Sequence, residues 1–279
     1  MVVQHNMQSM NANRQLGITT DSQKKVTEKL SSGYKINRAA DDAAGLTISE
    51  KMRSNIRGLT QASSNAQDGV SCVQTAEGAL TEVHSMLQRM NELAVKAANG
   101  TNTTADRTAI QSEVSALGKE ISRVAESTQF NTLNLLNGSF SAGKDIQVGA
   151  ANRAEQRITI SIAKMDATTL GVAAGTGDDK VSVATQTGAQ KAISKITAAI
   201  ARVSKQRSDL GAIQNRLEHT IANLDNVVEN TTAAESQIRD TDMAKTMVEY
   251  TKNNILSQAG TAMLAQANQS TQNVLSLLG

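Results

Sequence analysis

Between Met52 and Ala97 an apolar or small residue returns every three or four positions without a break, through Ile56, Leu59, Ala62, Ala66, Val70, Val73, Ala76, Leu80, Val83, Leu87, Met90 and Ala94. The mean step is about 3.5 residues, the spacing of a coiled-coil seam. The 279 residues contain no proline, the residue that removes an intrahelical hydrogen bond and clashes with the preceding turn. At about 1.5 Å of rise per residue, this helix alone spans roughly 70 Å. It outruns a compact domain and needs partners along its whole length.

Two further stripes can supply them. Asn99-Gly100 ends the first helix, after which Ile110, Val114, Leu117, Ile121 and Val124 resume the same spacing. A third seam runs Ile193, Ile196, Ile200, Val203, Arg207, Leu210, Ile213, Leu217, Ile221, Leu224 and Val228, with Arg207 as its one charged intruder. The chain has two Phe, two Tyr, no Trp and 39 Ala. Since each aromatic side chain buries roughly 150–250 Å², this composition argues against a thick core. It suits closely approaching helices, read here as a rod-like body.

The period changes between Phe130 and about Thr185. Asp145–Gly149 and Arg157–Ile162 alternate apolar and polar residues around a turn-compatible Ala150–Gln156, which predicts a β-hairpin. The small, polar Ala173–Lys180 reads as an exposed loop at the far tip, with Asp178-Asp179 a solvated turn. The predicted fold is mainly α: a long antiparallel coiled-coil-like helical bundle with a small β-hairpin region at the tip.

Several chemistries are excluded. The lone Cys72 rules out an intramolecular disulfide framework and a Cys-rich zinc site, and reads as a small packing residue. His5, His84 and His219 have no metal-ligand spacing to acids. Asp41-Asp42 precedes an apolar periodic run, where an Asp caps free N–H groups more readily than it catalyses. There is neither a phosphate-binding Gly loop nor a GxSxG turn. We therefore expect no enzyme: no catalytic, cofactor-binding or metal residues. A net charge of +2 and four scattered aromatics do not suit nucleic acid. No run reaches the roughly 20 apolar residues of a membrane span, and the first residues lack a signal-peptide apolar region.

The two ends are the most informative. Apart from His5, residues 1–13 carry no titratable side chain, and residues 253–279 carry no charge at all. The second stretch keeps a seam of Leu256, Gly260, Met263, Ala267, Ser270, Val274 and Leu277, while its Gln and Asn residues forbid a membrane span. A solvated helix carries charge on its outer face, so a charge-free one is expected to be surrounded by protein. The same chain offers Val3, Met7 and Met10; the remaining partners have to be other subunits. The predicted assembly residues are Val3, Met7, Met10, Leu256, Met263, Ala267, Val274 and Leu277.

At Leu30–Gly45, LSSGYKINRAADDAAG, followed by Gly58–Ser63, Gly69, Glu77–Leu80, Gln129–Asn131 and Asn268–Leu278, NQSTQNVLSLL, the chain resembles bacterial flagellin. The resemblance implies terminal helices at 1–30 and 241–279 forming an inner tube and connectors at 31–44 and 230–240. It also implies a rod-like outer-tube domain at 45–229 that includes a β region at about 130–185. There would be no large variable outer domain. It further implies an extracellular filament subunit for motility, exported by the flagellar type III system without a cleaved signal peptide. The partners implied are copies of itself, an export chaperone, filament cap and hook-junction proteins, and host Toll-like receptor 5. The motifs LQRMNELAVKAANGTN and IQSEV place the receptor epitope at Arg89, Leu93 and Glu113. Two other readings remain open at this point: a hook-filament junction protein and a secreted receptor-binding module.

Overall fold

The computed structural model describes residues 6–175 and 180–278, with side chains described through residue 270. Val3, His5 and Asp178-Asp179 lie outside the described residues, and for Val274 and Leu277 only helical backbone is described. Among the described residues six α-helices and four short strands follow in order: α1 (Met7–Ser32), α2 (Ala43–Ala98), α3 (Thr104–Ser127), β1 (Gln129–Phe130), β2 (Leu133–Asn134), β3 (Lys144–Gln147), β4 (Arg157–Ile160), α4 (Ala167–Leu170), α5 (Gln186–Arg239) and α6 (Met243–Leu278). The strands form two antiparallel pairs, β1 with β2 and β3 with β4. Contacts divide the chain into Arg57–Val228 and the residues on either side of it.

In the Arg57–Val228 unit the predicted stripes do bury one another. Val73, Leu80, Val83, Leu87, Met90 and Ala94 of α2 are fully buried, with Val114 and Ile121 of α3 and Ile196, Val203, Leu210 and Leu217 of α5. Polar pairs fix the antiparallel register of α2 and α5. The Ser63 hydroxyl donates to Asp225 at 3.1 Å, and Arg207 lies 3.6 Å from Glu77. Cys72 is buried, and burial pushes its thiol pKa up, as befits an inert packing residue.

The seam of α5 departs from prediction at its charged intruder. The residue turned inward is Gln206, whereas Arg207 sits on the flank. An α-helix turns slightly less than a 3.5-residue repeat requires, so over 54 residues the buried stripe drifts across the seam. Ile193, Ile200, Ile213 and Ile221 accordingly pack against the core from its edge. The Gln206 carboxamide compensates for its burial, donating to Ser161 O at 3.1 Å and accepting from Ala163 N at 3.2 Å.

The hairpin forms with β3 and β4 paired from Lys144–Ile160 to Gln147–Arg157, but it does not extend beyond the helix ends. It lies along the flank of α2: Asn65 donates to Gln147 O at 3.1 Å. Ile158 and Ile160 must be buried, and the small residues of α2 provide the place for it. At Gly58 the approach is so close that a Cβ would stand 2.7 Å from that of Ala150. A hairpin midway along the chain need not be at the distal end in space.

In the other unit α1 packs along α6. Gly33, at φ +76°, ends α1 with its N–H bonded to Lys29 O, a left-handed cap that glycine adopts without steric cost. The segment drawn as a connector at 230–240 is helical as far as Arg239, since no Gly or Pro interrupts it. The break falls at Asp240–Asp242. Here Tyr34 and Asp240 form an antiparallel bridge, with Lys35 N donating to Arg239 O at 2.6 Å and Thr241 N to Gly33 O at 3.0 Å. The Arg239 guanidinium lies 4.3 Å above the Tyr34 ring. Asp42 caps α2, accepting from Gly45 N at 2.9 Å. Asp41 instead accepts from Asn37 and Arg38 N–H groups, and these bonds lower its pKa.

Truncating Gln206→Ala removes both part-buried hydrogen bonds to the Ser161 and Ala163 backbone and should cost about 1–3 kcal/mol in urea unfolding. Truncating the flanking Arg207→Ala should cost about 0–1 kcal/mol. The reverse order would return Arg207 to the seam.

Candidate functional site

The charge that stops after Lys252 leaves α6 flanked by apolar and amide side chains. The α1–α6 pair encloses an open groove of about 650 Å³. It is lined from α1 by Gln8, Asn11, Ala12, Gln15, Leu16 and Thr19, and from α6 by a set that includes Leu256, Gly260, Met263, Ala267 and Ser270. All the seam residues with described side chains therefore face α1. Ala267 is buried there, and its carbonyl accepts from the Asn6 side chain at 3.0 Å. Ser9 donates to Asn268 at 2.8 Å.

Met7 and Met10 do not meet this seam. Both are exposed on a neighbouring stripe of α1, as is Ile18. The α1 residues at i, i+3 and i+4 from Gln8 take the inward side, and these are largely amides. Sequence reasoning chose the largest apolar residues instead and so missed Leu16 and Ala12; their 3.6-residue spacing from Gln8 was the available signal. On α6, Met247, Val248, Ile255 and Met263 are likewise exposed. Several large apolar side chains left in water on one helix pair point to an interaction surface.

The second predicted site lies where α2 runs antiparallel to α3. Arg89 donates through Nε and Nη2 to Glu113 Oε1 at 3.0 and 2.8 Å, and through Nη1 to Glu92 at 3.1 Å. Its guanidinium is half exposed. Leu93, one turn on, is only 3% exposed. An arginine stem is long enough to carry its charge out to water while a leucine ends in the core, so the surface patch consists of Arg89 and Glu113 with Leu93 beneath. The start of α3 is held by a capping box. Asp106 N donates to Thr103 Oγ1 at 3.3 Å, and the Asp106 carboxylate accepts from Thr103 N at 2.9 Å. Arg107 ties α3 to the end of α2, donating to Ala97 O and Asn99 O at 3.0 Å each.

The remaining histidines are apart. His84 meets Gln88, and His219 lines a separate shallow groove with Arg157 and Arg216. Among the described residues no group of three His, Cys, Asp or Glu could hold a metal ion. None of the described helices is long and apolar enough to cross a membrane.

Long helices sharing narrow stripes, with a terminal pair that keeps apolar surface in water, define the class of helical-polymer subunits. The family model of the bacterial flagellin N-terminal helical region matches residues 3–141, and that of the C-terminal helical region matches 193–278. A flagellin of Halalkalibacterium halodurans is 53% identical over 278 residues, and a flagellin of Treponema pallidum is 51% identical over 286; each match covers all of both chains. A solved structure of a putative flagellar hook-associated protein from Vibrio parahaemolyticus shares the fold at TM-score 0.57 and 14% identity, covering 72% of this chain and all of that one. The chain belongs to the bacterial flagellin family and is a structural subunit of the flagellar filament.

The capping box makes α3 sensitive to acid. The Thr103 hydroxyl and N–H hold the Asp106 pKa below its ordinary 3.8. The stabilisation is therefore complete above that value and is lost as pH falls through the lowered one. The difference in thermal midpoint between the wild type and Asp106→Asn should be constant from pH 7 to 5 and shrink below pH 3.8. A pH-independent difference would remove the carboxylate from the cap.

Proposed function

We propose that the chain polymerises with copies of itself through α1 and α6, and that this builds the extracellular filament used for motility. The observation that carries the reading is the exposed apolar surface on α1 and α6, in a sequence that is charge-free over residues 1–13, His5 apart, and 253–279. Burial yields about 25 cal/mol per Å² of apolar area, and the long helices supply that area even with small side chains. Ordering the ends offsets part of the gain. Full-length identity of about half to the flagellins favours a filament subunit over a hook-filament junction protein. The reading invokes no catalysis.

Family membership also supports export through the flagellar type III system, with a chaperone holding the C-terminal segment, and contact with filament cap and hook-junction proteins. Recognition by Toll-like receptor 5 is the second reading, favoured by the half-exposed Arg89 beside Glu113. In it, Arg89 and Glu113 meet the receptor and Leu93 supports them from below.

Deletion of 253–279 should abolish seeded filament growth, seen by electron microscopy, while leaving binding to the receptor ectodomain intact. Filaments from the truncated chain would overturn the assembly reading. Arg89→Ala should weaken receptor binding by roughly tenfold or more, the loss expected of an arginine hot spot, without altering filament growth. Unchanged affinity would remove Arg89 from the epitope. In the free subunit, amides of α1 and α6 should exchange faster than those of 52–97.

A further inference from the structure

Of the ten methionines, the nine other than Met1 lie among the described residues and divide by place. Met90 and Met165, in the Arg57–Val228 unit, are 0% and 5% exposed, and Met52 and Met86 are half-buried. Met7, Met10, Met243, Met247 and Met263 are 70%, 63%, 49%, 51% and 60% exposed. All five belong to α1 or α6. A thioether is readily oxidised, and its exposure sets how fast an oxidant reaches it.

We propose that these five methionines form an oxidative modification site of the free subunit, whose conversion to sulfoxides by a hydroperoxide-class oxidant blocks polymerisation. The blocking step rests on the assembly reading above. In the reaction a sulfur lone pair attacks one peroxide oxygen and an S–O bond forms as the O–O bond breaks. The sulfur is oxidised by two electrons and the peroxide is reduced. The departing hydroxide takes the remaining proton and leaves as water. Each event replaces an apolar, flexible side chain by a polar one.

Their positions make the modification hard to accommodate. At about 100° per residue, Met243 and Met247 lie on one side of α6 and Met263 on the opposite side. A neighbouring copy that covers the Met243 and Met247 side of α6 adjoins oxidised sulfurs there. Met263 also lines the groove toward α1, so its oxidation touches the intrachain pair as well. Once copies cover these helices, the same residues are withdrawn from the oxidant, so the site belongs to the subunit before incorporation.

Purified subunit is treated with graded hydrogen peroxide, mapped by peptide mass spectrometry and tested for seeded growth. The five are expected to oxidise at least about tenfold faster than Met90 and Met165, and assembled filaments should protect them. Oxidised subunit should need a critical concentration about tenfold higher or more, as loss of one buried methionine's worth of apolar contact implies. Methionine sulfoxide reductases should restore growth. Whatever its critical concentration relative to wild type, a subunit carrying Met7→Leu, Met10→Leu, Met243→Leu, Met247→Leu and Met263→Leu should show no rise in that concentration on peroxide treatment, and a rise as large as the wild type's overturns the assignment to these five. Uniform oxidation across all methionines, normal growth of the oxidised subunit, or failure of the reductases to restore it each overturns the proposal. Untreated subunit that never polymerises overturns the assembly reading and the blockade with it, while the oxidation map still decides the site.

Discussion

Everything in this molecule depends on narrow apolar stripes that have to be covered by other helices. With four aromatic residues in 279, no layer of large side chains can form a thick core. Stability has to accumulate along length, a few ångströms of helix at a time. α2 and α5 contain 56 and 54 residues, and small residues on α2 let both α5 and the β3–β4 hairpin approach closely. The same constraint acts at the termini with a different outcome. There one partner, α1 against α6, covers one side and leaves the others in water.

Polar groups set position within this arrangement. Gln206 supplies two hydrogen bonds to the segment around Ser161 and Ala163 at a place where an apolar residue would leave backbone groups unpaired. Ser63 with Asp225 and Glu77 with Arg207 choose the antiparallel register, a task for which exposed or half-buried pairs suffice even though each contributes little energy. The capping box of α3 and the Arg107 bonds set where α3 begins, and thereby where Glu113 meets Arg89.

Much of this was legible in the residues. The α2 stripe is buried almost position for position from Leu59 to Ala97, since a long heptad-like repeat leaves one side only to cover. Period-two alternation identified the hairpin, and Asp42 announced the start of α2. The misplacements have physical causes. Arg207 was assigned the seam because a 3.5-residue repeat was extended over a helix that drifts. The motif that carries Arg89, Leu93 and Glu113 does not tell how deep each side chain lies, and Leu93 is buried beneath the other two. Met7 and Met10 were paired with α6 on size, whereas amides and small residues admit the closer approach. The hairpin's place along α2 depends on contacts between residues some eighty positions apart, which no local pattern encodes.

The bridge between Tyr34 and Asp240 has a kinetic meaning. It joins residues separated by about two hundred positions, and the entropy lost in closing a loop grows with its length. Pairing of α2 with α5 shortens that loop beforehand, so closing the Tyr34–Asp240 junction, with the α1–α6 pair beside it, costs less entropy once the long stripes have paired. Opening runs in the reverse order. The ends are the part of the chain that can come undone while the stripes stay closed, giving the subunit an ordered body before its termini are committed.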